Sequence, residues 1–119
     1  MMEHTLVIGR RQTGKTERLI KMSAEKQIPI ICASHNMATY ARDRAKQLGL
    51  DIPKPIVAKT AAIDTELRKY DSVLVDDAAI VLNQLLGKHI DTMAVNTGHK
   101  EFEPIEVIYT EDEDKEEES

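Results

Sequence analysis

The chain has 119 residues, 41% hydrophobic and 31% charged, with a formal net charge of −5, one cysteine and no tryptophan. That length suits one domain with a real core, near the lower end for a nucleotide-binding α/β unit. No apolar run approaches the ~20 residues that span a bilayer, so no membrane partner is expected. The start, Met-Met-Glu-His, lacks the basic and apolar regions of a secretory leader, and the lone Cys32 has no internal disulfide partner. Cytoplasmic residence is the expectation, in the host cytoplasm if the chain is phage-encoded.

Charge is unevenly spread. Residues 111–119 hold seven acids and one lysine, which is −6, and this leaves 1–110 with 15 basic and 14 acidic side chains, or +1. The expected organisation is a near-neutral domain over 1–110 followed by a disordered acidic tail over 111–119. The tail reads either as a solubility device or as a tether that competes with nucleic acid for basic patches.

Thr5-Leu6-Val7-Ile8 reads as a buried first strand. It runs into Gly9-Arg10-Arg11-Gln12-Thr13-Gly14-Lys15-Thr16, which satisfies G-x-x-x-x-G-K-[ST] at every fixed position. With glycine at roughly 7% of residues, such a match arises by chance in well under about one chain in a hundred of this length. The two glycines let the backbone curl against a phosphate so that successive N–H groups face its oxygens. The start of the following helix adds partial positive charge at the same place. Lys15 can reach the β- and γ-phosphates, and the Thr16 hydroxyl can sit on Mg²⁺. Arg10 is either a phosphate or nucleic-acid contact or an exposed loop cation.

Residues 16–26 place Leu19, Ile20, Met22 and Ala24 among charges, as a helix on a sheet does. Residues 28–33 read as a second strand, and Pro29, with no N–H to donate, belongs at a strand start or on an edge. Ser34-His35-Asn36 offers a polar cap to a second helix whose buried stripe is Met37, Tyr40, Ala41, Ala45 and Leu48, with Gly49 as its stop. Arg42, Asp43, Arg44 and Lys46 form its other face, which is either solvated or a contact for a polynucleotide backbone, DNA included. Residues 56–58 suggest a short strand, and Thr60 a cap for a brief helix holding Ile63, Leu67 and Tyr70.

Ser72-Val73-Leu74-Val75-Asp76-Asp77 reads as a buried parallel strand delivering two acids to the carboxyl edge of the sheet, where ligands bind in open α/β folds. A hydrated Mg²⁺ bridging phosphates needs one or two carboxylates, and Asp76 is the natural partner of Thr16. Asp77 then faces the attacking water as general base or orienter. The alternative is a solvated turn in which Asp77 caps the helix that follows, over 78–86. Residues 89–95 read as a further strand ending at Asn96-Thr97, and 104–110 as a last, half-exposed edge strand. Strands alternating with helices predict a three-layer α/β/α fold with a mostly parallel sheet. The four histidines show no metal-ligand spacing, and 3% aromatic content argues against base-stacking platforms.

The phosphate loop and the Asp76-Asp77 strand together resemble the additional-strand group of P-loop NTPases, which includes helicases and the ATPase domains of phage terminases. The resemblance spans roughly 4–110 and implies five core strands in the order 5-1-4-3-2, counting 5–8, 28–33, 73–75, 89–95 and 105–110 in chain order. It implies Mg²⁺ and ATP, or another nucleoside triphosphate, as ligands, held by the whole loop from Gly9 to Thr16. Lys15, Arg11, Asp77 and Asn96 take the catalytic roles, with Arg11 stabilising transition-state charge and Asn96 either reporting the γ-phosphate or serving as a plain turn residue. Two departures stand out. The group usually has Asp-Glu where this chain has Asp76-Asp77, and terminases continue into a nuclease domain where this chain stops.

The expected function is Mg-dependent ATP binding with slow hydrolysis, assisting a DNA transaction of the packaging or helicase kind. A homo-oligomer or larger phage assembly is expected if a neighbour's arginine completes the site. A non-hydrolysing regulatory module and a small-molecule kinase stay open as alternatives.

Overall fold

A computed structural model describes residues 4–8, 14–95 and 105–109. The chain is a small α/β protein that divides into two compact units. One comprises 1–15 and 92–119, the other 16–91.

In the first unit, β1 (His4–Ile8) pairs in parallel with β5 (Ile105–Tyr109), in register from His4 opposite Ile105 to Ile8 opposite Tyr109. Parallel neighbours need a long crossover, which the intervening chain supplies.

The second unit follows from α1 (Lys15–Lys26) onward. The helix buries Leu19, Ile20 and Ser23, spaced so that all three fall on one side. The Ser23 hydroxyl donates to the Ile28 carbonyl at 2.6 Å, pinning the end of the helix to the start of the next strand. Between them Gln27 takes φ +55°, and its side-chain amide donates to the carbonyls of Ala24 and Asp51, at 2.8 and 2.9 Å. These bonds compensate a backbone conformation that costs a non-glycine residue about 1–2 kcal/mol.

Strand β2 (Ile30–Cys32) lies at the centre of a three-stranded parallel sheet, flanked by β3 (Ile56–Val57) and β4 (Leu74–Val75). The placement of 28–33 on an edge is therefore corrected. Pro29 precedes the ladder, where only its carbonyl is used, accepting from the Leu74 N–H at 2.9 Å. Helix α2 (His35–Gln47) begins at Ser34, whose hydroxyl accepts from the Met37 N–H at 3.3 Å, and Gly49 follows it at φ +74°. Ala41 and Ala45 are buried, whereas Tyr40, expected inside, is 52% exposed. The small alanines let the helix approach β2 and β3 closely, and the neighbouring tyrosine ring is left outside that packing.

Residues 58–69 form a short helix, α3 (Ala58–Ala61), and a 3₁₀ turn (Thr65–Lys69). The expected capping role of Thr60 is not realised. Thr60 lies inside α3, and Asp64 caps the 3₁₀ turn by accepting from the Glu66 N–H at 2.8 Å. Ile31, Ile56, Ala58, Ala61 and Val81 make the core here, with Ala33 and Leu67 packed against it.

Two strand expectations are also corrected. Val73 and Val75 are each 39% exposed, because β4 has a neighbour on only one side among the described residues. Residues 89–95 form no strand. Helix α4 (Ala78–Leu86) ends at Gly87, at φ +67°, and the Asn83 side-chain carbonyl then accepts from the Ile90 N–H at 2.8 Å. Val81 is the buried residue of α4, while Ile80, Leu82, Leu85 and Leu86 are exposed.

Candidate functional site

Asp76 directly follows β4. Its N–H donates to the Ile31 carbonyl at 3.0 Å, so the ladder carries on one residue past the assigned strand and fixes where the acid stands. The residue is 6% exposed. A carboxylate so buried is tolerated only where donors meet it. One donor is Thr16, whose hydroxyl donates to Asp76 Oδ2 at 3.0 Å across 60 residues of chain. Thr16 is the second residue of α1, and Gly14, just before the helix, has φ +88°. That conformation favours glycine, which accounts for the second fixed glycine of the motif.

The acid has a second neighbour that the sequence did not single out. Cys32 ends β2 and is fully buried. Burial first, and then the negative charge of Asp76, push its thiol from 9.0 up to about 12. It is thus a neutral, inert lining residue at physiological pH rather than a nucleophile. A thiol within an apolar run gives no hint in sequence that a carboxylate stands beside it.

Asp77 sits at the N-cap position of α4 with φ +64° and makes no side-chain cap bond. The alternative that made it a helix cap is therefore not realised by its carboxylate, and the residue is exposed at the strand-to-helix turn. Gly9, Arg10, Arg11, Gln12, Thr13 and Asn96 lie outside the described residues, and Lys15 opens α1. Of the three cations assigned to DNA, Arg42 and Lys46 are exposed. Arg44 turns instead to Glu17 on α1 at 3.3 Å and to the Gln47 side chain at 2.9 Å. Its guanidinium serves to tie two helices together.

Thr16 and Asp76 supply only oxygen donors. Among the described residues no group of three or more His, Cys, Asp or Glu could hold a metal ion. A hydroxyl beside one carboxylate fits Mg²⁺, which keeps several waters and relies on substrate phosphates rather than on a protein cage. Comparison with protein-family models, with curated protein sequences and with solved structures returns no match.

Proposed function

We propose that this chain is a minimal P-loop ATPase that binds ATP with Mg²⁺ and hydrolyses it slowly. The observation carrying this reading is the 3.0 Å bond from the Thr16 hydroxyl to Asp76. Thr16 is the last fixed position of the phosphate-loop motif, and Asp76 is the acid that an independent argument from strand chemistry pairs with it. Their meeting is what a cation shell shared between loop and strand requires.

In this reading the amides from Gly9 to Gly14 and the Lys15 ammonium hold the β- and γ-phosphates. Thr16 and Asp76 hold Mg²⁺, which when bound neutralises charge developing on the phosphate oxygens. Asp77 orients the attacking water, Arg11 stabilises the transition state and Asn96 contacts the γ-phosphate. Of the family order 5-1-4-3-2 this reading keeps the neighbours 5-1 and 3-2, with β3 lying on the far side of β2. The parallel pairings β1–β5 and β2–β4 support the two ends of that order. Service to a DNA transaction, and assembly with further copies, rest on the family resemblance.

A second reading, a nucleotide sensor without turnover, is favoured by one observation. Asp77 is exposed and one methylene shorter than the glutamate usual at its position. Single-turnover phosphate release with Mg·ATP tests both. Release above background that vanishes in Lys15→Ala supports the ATPase, and tight Mg-dependent binding without release supports the sensor. Absence of Mg-dependent nucleotide binding in the wild-type chain rejects both.

A further inference from the structure

A cleft of about 150 Å³ opens between α2 and β3, and neither Thr16 nor Asp76 lines it. From α2 come His35, Thr39 and Arg42, at positions i, i+4 and i+7 and hence on one stripe of the helix. From the facing segment come Lys54, Thr60 and Asp64. Among the described residues, the side chains of Arg42 and Lys54 make no hydrogen bond or ion pair, unlike that of Arg44 on the same helix. Asp64, the one acid lining the cleft, already accepts from the Glu66 N–H at 2.8 Å. Arg42 and Lys54 against Asp64 leave the lining with one net positive charge, which favours an anion in the cleft. Arg42 offers a planar fork suited to phosphate oxygens, Lys54 a point charge, and Thr39 a neutral donor. The volume suits one phosphate group rather than a whole nucleotide, since pockets for drug-sized ligands run about 300–1,000 Å³.

We infer that this cleft is a second phosphate-binding site, taking one phosphate of a phosphorylated substrate. The phosphate comes either from a phosphodiester of single-stranded nucleic acid or from a phosphomonoester of a small molecule. The site stands independently of the nucleotide reading, because none of its residues belongs to the phosphate loop.

The test is an amide-shift NMR titration of the full chain with two probes, deoxyribose 5-phosphate and a thymidine oligonucleotide of about eight residues, a length within single-strand site sizes. It is run on the wild type, on Lys15→Ala and on the double variant Arg42→Gln/Lys54→Gln. At least one probe should move the amides of 35–42 and 54–64 in both wild type and Lys15→Ala. The double variant should weaken that binding by about tenfold. Lys15→Ala disables the phosphate loop alone, so a failed loop reading and a failed cleft are told apart. If the oligonucleotide binds the tighter, its salt slope should fall by about 0.7 in the double variant, for the one phosphate no longer neutralised, and the source is nucleic acid. If the monoester binds as well as the oligonucleotide, the source is a small molecule. The inference is overturned if neither probe moves those amides, or if the double variant binds within about twofold of wild type.

Discussion

Replacing Thr16 by valine removes one hydroxyl and keeps the shape of the side chain. The bond removed is 3.0 Å long and ends on the carboxylate of a residue that is 6% exposed. A hydrogen bond to a charged group contributes about 1.5–3 kcal/mol, and its removal leaves the carboxylate with one donor fewer. Asp76 has a further interaction of its own, so the lower half of that range, about 1.5–2 kcal/mol, is expected. At roughly 4 °C per kcal/mol for a chain of this size, Thr16→Val should melt about 6–8 °C below wild type. Mg·ATP at about a hundred times its Kd adds about 2.7 kcal/mol to a chain that binds it. Differential scanning fluorimetry should show that second shift for wild type and lose most of it for Thr16→Val. Thr16→Ser should restore both shifts. A Thr16→Val protein that melts within about 1 °C of wild type and keeps the full Mg-dependent shift would remove the bond from both its structural and its cation-binding role.

Asp77→Asn should leave nucleotide binding intact and abolish phosphate release, and Asp77→Glu should raise the rate if the short side chain limits it. At φ +64°, Asp77→Gly should gain up to about 1 kcal/mol in urea denaturation. Cys32 should resist iodoacetamide at pH 8 until the chain unfolds, because its thiol is held protonated up to about pH 12. Relative to the unfolded chain this raised value costs nothing below the ordinary 9.0, and folding loses stability as pH rises from there toward 12. Cys32→Ala should accordingly flatten the alkaline limb of a urea midpoint plotted against pH. Glu17→Gln should lower stability by less than about 0.5 kcal/mol, since the side chains of the Arg44 pair are 33% and 35% exposed, and a larger drop in the urea midpoint would contradict this.

That Thr16 and Asp76 meet was legible from the residues alone: a motif with four fixed positions tolerates few letters, and an acid after three aliphatics falls at a sheet edge. The helix boundaries were legible for a similar reason, since Ser34, Gly49 and Gly87 do what their side chains, or lack of them, dictate. Strand placement was not. Whether Val73 to Val75 is buried depends on which segment lies alongside, and a run of aliphatics carries no record of its neighbour. Pro29 fits a strand start as well as an edge, and the ladder between Leu74 and the Pro29 carbonyl decides for the start. Residues 89–95 have the composition of a strand, yet a strand exists only through hydrogen bonds to a partner. Lys54 gave no signal at all, because a lysine in a proline-bounded connector reads as solvated until a helix stripe is found opposite.

Strand β4 ends its sheet with one side uncovered among the described residues, and it exposes valine there. Such an edge can recruit the same segment of another molecule and seed fibrils. Cross-β stacking needs uncharged segments of about six or seven residues, whereas β4 offers two, Leu74 and Val75. Asp71 on one side and Asp76 and Asp77 on the other bracket the apolar stretch with like charge, so that copies stacked in register would repel. Asp76, read here as handling a cation, thus also helps guard the chain against self-templating.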